Sequence, residues 1–348
     1  MRVFISAGEA SGDLYASRVV QALRARHPDA EFFGCAGPEM QAAGVRAVVD
    51  QRSLAVAGLV EVIPHIPRIW KEFRKLCRSF SENRPDVAVL TDSPDFHLRL
   101  AKRLRQQGVQ IVYLIAPQAW AWREGRVRTM RATIQRLLCI FPFEEEFFES
   151  RGVPTTYIGH PLAGIVRPSM TRSEFLERFQ LPADRPIITL LPGSRNGEVA
   201  RHIPYVLDAA GRILKSRPKS QVPTFILALP PGFGYEKSEI SHTVKFWERN
   251  EGASIQVEDG SAVRVMEGVT WDALAYSQLA LAASGTVTVE AALLGVPMVT
   301  FYRVNALSWL LGRWLVRAPF LSMVNLVAGR RVAPTIRDCS WRSIRRSA

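Results

Sequence analysis

The stretch RVFISAGEASGD, residues Arg2–Asp13, decides the first half of the fold, because an apolar run enters a glycine-bearing turn there. Val3, Phe4 and Ile5 have the composition of a strand that is buried on both faces, and the residues after the turn have helical spacing. A strand, a tight turn and a helix in this order begin a Rossmann-like unit. The turn lacks the Gly-x-Gly-x-x-Gly pattern, so it is weak support for a dinucleotide site.

Short apolar runs alternate with longer helical segments along the chain, which predicts an α/β fold with parallel strands. The predicted strands are Arg2–Ser6, Glu31–Cys35, Val87–Thr91, Ile111–Ile115, Leu137–Ile140, Thr155–Ile158, Ile187–Leu191, Thr224–Leu229, Ser254–Val257, Leu279–Ala283 and Met298–Phe301. The predicted helices include Leu14–Arg26, Leu98–Gln107 and Arg172–Phe179. The pattern restarts after a proline-bearing connection near residue 165. We therefore expect two Rossmann-like domains that face a cleft, residues 1–165 and 166–332, followed by an atypical basic tail, residues 333–348.

The composition excludes several classes of protein. Of the 348 residues, 47% are hydrophobic and 22% are charged, which is typical of globular chains and not of disordered or collagen-like ones. No run of about 18 apolar residues occurs, so we expect a cytoplasmic protein that neither carries a signal segment nor spans a membrane. The four cysteines have no paired spacing, which favours reduced thiols over disulfides or a zinc site.

The chain is strongly basic, since its 45 Lys and Arg exceed its 32 Asp and Glu by 13 charges. Residues 299–348 alone carry nine Arg against one acid. This excess indicates an anionic partner, which charge alone leaves as a nucleic acid, a membrane surface or a phosphorylated substrate. No nucleic-acid motif is recognisable and the basic residues adjoin Trp and Leu clusters, so we do not expect a nucleic-acid partner.

Two segments, Ile66–Phe80 and Phe301–Val327, combine basic and apolar residues at helical spacing. This pattern is typical of helices that lie in an anionic membrane surface, although helices that pack on a core share it. The predicted membrane contacts are Ile69, Trp70, Phe73, Trp309 and Trp314.

Ligands of doubly wound sheets bind beyond the carboxyl ends of the strands, and the segment Ser6–Asp13 follows the first predicted strand. Glu9 and Asp13 together favour a binding site in this loop. A purely structural interpretation is also open, because Ser11 or Asp13 would serve as a cap for the following helix.

Two further segments of the first half follow predicted strands. In Leu90–Phe96, Asp92 ends a buried strand and is the better candidate for a general base, whereas Asp95 has the position of a helix N-cap. The segment Ala116–Arg123 brings two indoles and a guanidinium to a strand end, where they suit a sugar platform, an acyl wall or ordinary packing.

The second half repeats the arrangement in Leu191–Glu198 and Ala282–Glu290. In the first segment Gly193 permits close approach of the backbone to a phosphate, and Arg195 is suited to bidentate hydrogen bonds with phosphate oxygens. In the second, a Ser-Gly-Thr turn precedes a helix, and Glu290 is placed to accept hydrogen bonds from ribose hydroxyls. The predicted residues of a UDP site are Gly193, Ser194, Arg195, Glu198, Ser284, Gly285, Thr286 and Glu290.

Together these segments resemble the bacterial lipid-A-disaccharide synthases, glycosyltransferases of the GT-B fold, to about Val332. The motifs that carry the resemblance are Ala7–Asp13, Ala36–Met40, Gly58–Val62, Asp92–Phe96, Trp120–Arg123, Ile158–Pro161, Leu191–Arg195 and Ala283–Thr286 with Glu290. The resemblance implies transfer of 2,3-diacylglucosamine from its UDP donor to 2,3-diacylglucosamine 1-phosphate (lipid X), which yields the β-1,6 disaccharide precursor of lipid A. It further implies peripheral association with the inner membrane and is compatible with a homodimer.

The resemblance also implies roles for single residues. Asp92 would take the proton of the acceptor hydroxyl in one inverting displacement, and Arg195 with the Ser-Gly-Thr turn would stabilise the leaving diphosphate without a metal or cofactor. Glu290 would hold the ribose, and His160 is expected to pack or to act as a hinge. The residues of the acceptor cleft would be Glu9, Ser11, Gly12, Asp13, Gln118, Trp120, Trp122 and Arg123.

Residues 333–348 depart from the family pattern, which continues into further helices. We therefore expect a truncated or frameshifted gene, and an inactive lipid-binding remnant is one alternative. The other alternative enzyme is a UDP-sugar 2-epimerase, which shares the fold and the UDP site. Its sugar substrate needs no membrane-facing segments, which counts against it.

Overall fold

The computed structural model describes residues 1–54, 65–121, 124–218, 221–234, 246–249, 252–256, 262–303, 320 and 322–337. The chain contacts divide into two compact units, and the first boundary between them along the chain lies between Pro161 and Leu162. Trp122, Arg123, Trp309, Trp314 and Cys339 lie outside the described residues, as do the motif Gly58–Val62, most of the segment Phe301–Val327 and most of the basic tail.

The first unit contains a sheet whose described strands are all parallel, in the order β3-β2-β1-β4-β5-β6-β7. The strands are β1 (Arg2–Ala7), β2 (Glu31–Ala36), β3 (Arg46–Asp50), β4 (Val87–Thr91), β5 (Gln110–Leu114), β6 (Arg136–Cys139) and β7 (Thr155–Tyr157). The strand order reverses between β1 and β4, which pair from Val3 with Val87 to Ala7 with Thr91. The loops after these two strands therefore leave the sheet side by side, at the position where ligands of such sheets bind.

Strand β1 is buried from Val3 to Ala7, because helices cover both faces of a parallel sheet. Phe4 contacts the ring of Phe33 on β2 and that of Phe80 edge to face, which fastens the third helix to the sheet. The helices of this unit are α1 (Ala10–Arg26), α2 (Pro38–Ala42), α3 (Ile66–Glu82), α4 (Pro94–Gln106), α5 (Arg126–Thr133) and α6 (Pro142–Glu149).

The second unit contains a mixed sheet in the order β10-β11-β12-β9-β8-β13-β14-β15. The strands are β8 (Ile187–Leu191), β9 (Thr224–Leu229), β10 (Phe246–Arg249), β11 (Gly252–Gln256), β12 (Ala262–Glu267), β13 (Leu279–Ala283), β14 (Met298–Tyr302) and β15 (Thr335–Arg337). Strand β11 is antiparallel to both of its neighbours, and the other described pairs are parallel. The order reverses between β8 and β13, so the loops after these two strands also emerge together.

Five described helices accompany the second sheet: α7 (Arg172–Arg178), α8 (Asn196–Lys215), α9 (Thr270–Ala275), α10 (Val287–Leu293) and α11 (Met323–Ala328). Buried apolar residues form two clusters here. One joins α8 to the sheet through Val199, Ile203 and Val206. The other joins α7 and α9 to it through Phe175 and Leu274.

The predicted α/β class is confirmed, and four predicted strands coincide with β4, β8, β9 and β13. The described strand pairs are parallel, as predicted, except at the β10-β11-β12 edge, where the pairing is antiparallel. Strands β3, β10, β12 and β15 were not predicted. Among the described residues, no helix is long and apolar enough to cross a membrane.

Candidate active site

Asp92 follows β4 directly and lies where the strand order of the first sheet reverses. The backbones of Asp92 and Ser93 are left-handed, with φ of 53° and 34°, which is uncommon for residues other than glycine. The carboxylate of Asp92 meets the loop after β1, where Oδ1 accepts the N–H of Gly8 at 2.7 Å and Oδ2 accepts that of Glu9 at 3.1 Å. The two loops that the topology brings together are thus joined through one carboxylate.

Two glycines of the loop after β1 make room for this contact. A Cβ atom on Gly12 would lie 1.8 Å from Oδ2 of Asp92, and one on Gly8 would lie 2.3 Å from Oγ of Ser93. Any side chain at either position would therefore displace the residues after β4. Close approach, and not turn geometry alone, explains the glycines of this motif.

The backbone carbonyl of Asp92 points to the interior and accepts two hydrogen bonds from buried side chains. The hydroxyl of Tyr113 on β5 donates at 2.5 Å, and Nδ1 of His97 on α4 lies 3.0 Å away. A carbonyl only accepts, so Nδ1 of His97 carries the hydrogen, and the neutral ring then accepts at Nε2 from the Ser6 hydroxyl at 2.8 Å. His97 and Tyr113 were not predicted from the sequence, because both bond a backbone carbonyl, which leaves no signal in the pattern of side chains.

Burial dominates the electrostatics of this site. Burial and the nearby carboxylate of Glu9 raise the pKa of Asp92, and the N–H groups of Gly8 and Glu9 oppose the shift; the resulting pKa is about 8. Burial lowers the pKa of His97 to about 4, so the ring is neutral at neutral pH. A carboxyl whose pKa lies near the working pH is suited to accept a proton from a hydroxyl group.

Asp13 joins α1 to the N-terminus of α2. Its side chain is buried, with Oδ1 accepting the N–H groups of Gly37 at 2.8 Å and Met40 at 3.3 Å, and Oδ2 accepting that of Glu39 at 2.9 Å. The carboxylate thereby caps the N-terminus of α2, which satisfies donors that have no partner inside the helix. These contacts give Asp13 a structural role, and its placement in the acceptor cleft stays a prediction.

Three other polar residues predicted for this cleft, Glu9, Ser11 and Gln118, are accessible. Ser11 and Gln118 are exposed, and Glu9 is half-buried at the N-terminus of α1. Glu9 is joined to Asp92 through its backbone N–H. Gly12 lies against Asp92, as described above. Of the predicted cleft residues, the structure therefore brings Glu9 and Gly12 together with Asp92.

Trp120 is fixed by a buried acid. Its Nε1–H donates to Oε1 of Glu144 at 3.0 Å, and its ring meets that of Phe143 edge to face. Glu144 is fully buried on α6, and its Oε2 accepts the N–H groups of Ile140 and Phe141. Burial raises the pKa of Glu144 to about 7, while these hydrogen bonds oppose the shift. Glu144, which the sequence analysis missed, sets the orientation of the indole.

Two further predictions concern Asp95 and His160. The N-cap position of α4 is Ser93, so the prediction of Asp95 as N-cap is wrong. Asp95 lies in the first turn, and its Oδ2 pairs with Nη2 of Arg126 at 2.8 Å. His160 packs against the ring of Phe141 at 5.8 Å, and burial lowers its pKa, which agrees with a packing role.

In the second unit, Glu198 closes the loop after β8. A Cβ atom on Gly193, whose φ is 132°, would lie 2.6 Å from the carboxylate of Glu198. The N–H of Ser194 donates to Oε2 of Glu198 at 3.2 Å. A carboxylate in the first turn of α8 stabilises the helix. Glu198 also accepts the N–H of Ser194, a residue that the sequence analysis placed in the UDP site.

His202 on α8 ties this loop to β14. Its Nδ1 lies 2.6 Å from the carbonyl of Pro192 and its Nε2 lies 3.3 Å from that of Arg303. The guanidinium of Arg303 stacks on the ring of Tyr205 at 4.1 Å. These residues were missed because nothing in the local sequence of α8 indicates a contact with a strand end about 100 residues later.

Three charged side chains lie near the phenol of Tyr302, at the end of β14. Burial raises the pKa of Tyr302, the charge of Glu198 raises it further, and the charges of Arg195 and Arg201 lower it. Electrostatic effects of this kind act over short distances. The predicted phosphate ligand Arg195 thus shares a small region with Arg201 and with the carboxylate of Glu198.

Glu290 lies on α10, the helix that follows the turn after β13. The Nε1–H of Trp271 donates to Oε2 of Glu290 at 2.7 Å, and burial raises the pKa of Glu290. In the turn, the N–H of Ser284 donates to a strand carbonyl, and the carbonyl of Gly285 accepts the N–H and hydroxyl of Thr288. Trp271, which the sequence did not indicate, fixes one oxygen of Glu290.

Helix α3 exposes part of its apolar side. Ile66 is 52% exposed and Trp70 is 44% exposed, while Ile69 is half-buried. Phe73 is buried and contacts Phe96 edge to face at 5.7 Å, which excludes it as a membrane contact in this arrangement. The exposed cations of the helix are Arg68, Lys71, Arg74, Lys75 and Arg78.

Comparisons with known proteins give a family and a fold. The family model of lipid-A-disaccharide synthetase matches residues 3–342. A lipid-A-disaccharide synthase of Solibacter usitatus is 59% identical, over 96% of this chain and 83% of that protein. One of Pseudomonas aeruginosa is 39% identical, over 97% of this chain and 85% of its own length.

Solved structures agree on the fold. A UDP-GlcNAc 2-epimerase from Neisseria meningitidis, bound to UDP-GlcNAc, matches with a TM-score of 0.61, over 94% of this chain and 90% of that one. Acinetobacter baumannii MurG matches with a TM-score of 0.51, over 97% and 86%. Both are 12% identical, so they show the predicted GT-B fold alone. The epimerase alternative therefore gains nothing from the likeness.

Proposed function

We propose that this chain, which belongs to the lipid-A-disaccharide synthase family, transfers 2,3-diacylglucosamine from its UDP donor to the 6-hydroxyl of 2,3-diacylglucosamine 1-phosphate. The products are the β-1,6-linked disaccharide and UDP. The observation that carries this proposal is the family match over residues 3–342, with a relative at 59% identity. The geometry supports it, because polar loops lie at the strand-order reversal of each sheet.

Asp92 is the proposed general base. An α-linked donor that gives a β-linked product inverts at the anomeric carbon, so a single displacement suffices. The acceptor oxygen forms the new bond to this carbon and its proton passes to Asp92, while the bond to the diphosphate oxygen breaks and its electron pair leaves with UDP. The pKa of about 8 supports this role, because a base works best when its pKa lies near the working pH.

The second unit is the proposed donor domain. Arg195 supplies positive charge to the departing diphosphate, as guanidinium groups do at such sites. Glu290 accepts hydrogen bonds from the ribose through Oε1, since its Oε2 is bonded to Trp271. Gly193, Ser194 and the Ser284–Thr286 turn provide the surrounding backbone. We assign Glu198 to the shape of the loop, because it already accepts from Ser194.

The first unit is the proposed acceptor domain. Glu9, Ser11 and Gln118 offer polar groups near the loop that holds Asp92, and Trp120 precedes Trp122 and Arg123 in the same segment. Carboxylate and amide groups suit sugar hydroxyls, and indole rings suit sugar faces or acyl chains.

We further propose that the protein works at the cytoplasmic face of the inner membrane, with α3 in contact with anionic lipid. Ile66 and Trp70 are large apolar side chains exposed to solvent. Lys71 and Lys75 are exposed on the same helix, and Arg74 stacks on the Trp70 ring at 5.7 Å. Apolar and cationic side chains on one helix favour a lipid surface.

A turnover assay tests the proposed reaction. The purified protein is incubated in detergent with both diacylated substrates, and disaccharide and UDP are measured together. Asp92→Asn should lower turnover at least a hundredfold, whereas Asp95→Asn, which alters the ion pair between the exposed Asp95 and the largely buried Arg126, should stay within about threefold of wild type. Absence of disaccharide with the wild-type protein, or conversion of UDP-N-acetylglucosamine to its 2-epimer, would contradict the proposal.

A further inference from the structure

We propose that Tyr113 and His97 are positioning residues, which hold the backbone carbonyl of Asp92 and thereby aim its carboxylate at the reacting hydroxyl. The inference rests on the role of Asp92 as base in the proposed function. It concerns a second set of contacts, those made by the backbone carbonyl of Asp92.

The carbonyl of Asp92 is held from two different elements. Tyr113 on β5 donates its hydroxyl hydrogen at 2.5 Å, and His97 on α4 donates from Nδ1 at 3.0 Å. Both side chains are completely buried. A carbonyl oxygen has two lone pairs, so the two donors fill its capacity and fix the plane of the peptide group.

This peptide group needs to be held. Asp92 and Ser93 both have positive φ, and residues other than glycine keep such a conformation only when the surroundings determine it. The N–H groups of Gly8 and Glu9 hold the carboxylate end of Asp92. The side chains of Tyr113 and His97 hold the carbonyl end, so the residue is fixed at both ends.

Ser6 completes the arrangement by fixing the ring of His97. Its hydroxyl lies 2.8 Å from Nε2, and the residue is completely buried on β1. The contact between Ser6 and His97 resembles that between a serine nucleophile and its histidine base. Ser6 is completely buried, however, which excludes it as a nucleophile. The hydroxyl donates to Nε2 and leaves the ring hydrogen on Nδ1, where the Asp92 carbonyl accepts it.

The kinetic test uses variants that remove one donor at a time. Tyr113→Phe deletes a single oxygen, and His97→Leu removes both ring nitrogens. We expect either change to lower kcat at least tenfold while KM for both substrates changes less than threefold, because the base is misdirected and the substrates are still bound. His97→Asn retains an N–H donor and should recover most of the kcat lost in His97→Leu.

Thr155→Val is the matched control. It deletes a buried hydroxyl of the same unit that bonds only a neighbouring carbonyl at 2.8 Å, and it should leave kcat unchanged. Unfolding curves for all variants compare stability separately. If Tyr113→Phe keeps the wild-type kcat, or if it loses no more than Thr155→Val at equal stability, the positioning role is wrong.

A spectroscopic readout separates this inference from the proposed function, because it needs no turnover. In ¹⁵N spectra of labelled protein, His97 should show a protonated Nδ1 and an unprotonated Nε2 from pH 6 to 8. In ¹³C spectra, the Asp92 carboxyl resonance, assigned with Asp92→Asn, should shift in Tyr113→Phe. The charges of Glu9, Cys35 and Tyr113 couple to Asp92, and Nδ1 of His97 lies 3.8 Å from its Oδ1, so these four groups are considered together when the pH dependence of the spectra is interpreted.

If the wild type shows these signals but is inactive, the proposed reaction is contradicted and the inference about the Asp92 carbonyl still holds. An Nε2–H ring, or an Asp92 resonance that is unchanged in Tyr113→Phe, would overturn the inference even if the wild type is active.

Discussion

The carboxylate of Asp92 occupies the space in which a side chain at position 12 would begin, since a Cβ atom on Gly12 would lie 1.8 Å from Oδ2. Real Cβ atoms do not approach other atoms this closely. The oxygen cannot swing away freely, because Asp92 is bonded to Gly8 and Glu9 at its carboxylate and to Tyr113 at its carbonyl. The glycine of one loop and the acid of the other therefore depend on each other.

Gly12→Ala should consequently displace the Asp92 carboxylate and lower kcat by about two orders of magnitude, as misplacement of a reacting group by about 1 Å does. The free energy of unfolding should fall by about 1–3 kcal/mol, the usual cost of overpacking. Stopped assays and urea unfolding measure the two effects. Gly125→Ala is the control, since a Cβ atom there would meet nothing within 4 Å. Wild-type turnover in Gly12→Ala would contradict the close contact.

The stability of the protein should depend on the ionisation of Asp92. The pKa of Asp92 is about 8 in the folded chain, whereas the ordinary value of 3.8 applies to the unfolded chain. Between these two pH values the folded state therefore holds a proton that the unfolded state has lost. Stability therefore falls as pH rises from about 4 to about 8, by at most about 1.4 kcal/mol per pH unit.

Urea unfolding of wild type and Asp92→Asn between pH 5 and 9 measures this slope as the difference between the two proteins. Other titrating groups, including Glu144, cancel in the difference. A flat difference between wild type and Asp92→Asn over this range would show that burial does not raise the pKa of Asp92.

Trp271→Phe should weaken binding of the UDP donor without affecting the acceptor. It removes the N–H that fixes Oε2 of Glu290 at 2.7 Å, so the carboxylate loses the orientation we propose for ribose binding. We expect KM for the donor to rise about fivefold to tenfold, in line with the loss of part of one hydrogen bond to a charged group. Tyr276→Phe is the control. Tyr276 lies at the C-terminal end of α9, the helix that carries Trp271, and the change removes the hydrogen bond from its hydroxyl to the carbonyl of Met170. Equal donor KM values in both variants would contradict the role of Trp271.

Ile66→Ser and Trp70→Ser should each weaken binding to anionic vesicles about tenfold, because each removes a large apolar side chain from the proposed contact. Ile158→Ser tests the specificity of the effect, since Ile158 is an exposed apolar residue elsewhere in the same unit, at 45%. Sedimentation with vesicles of phosphatidylglycerol measures binding, and higher salt should weaken it through the cations of α3. Equal losses in all three variants would indicate a general surface effect.

The sequence predicted the central strands well because burial on both faces leaves a continuous apolar run. Strands β4, β8, β9 and β13 are of this kind, and their predicted limits are correct. Strand β3, at the edge of its sheet, is exposed at both ends and carries charges there, so its sequence has no such run. The antiparallel edge of the second sheet was missed because strand direction depends on connections that periodicity does not describe.

For the candidate site, the sequence indicated residues that follow strand ends, since topology alone brings these together. It correctly grouped Asp92 with the loop that contains Gly12. It did not distinguish Asp13, which caps a helix, from Glu9 in the same loop. His97 and Tyr113 gave no local signal, because one lies within a helix and the other within a buried strand. Their function depends on a carbonyl, which every residue possesses.

The groups that hold Asp92 all lie between residues 6 and 113, whereas the second sheet uses residues 187–337. Ribosomes add about 5–20 residues per second. The pairing of β1 with β4 and the hydrogen bonds around Asp92 thus become available several seconds or more before the last strands of the donor half are synthesised. Assembly of the base during translation needs nothing from the C-terminal half of the polypeptide.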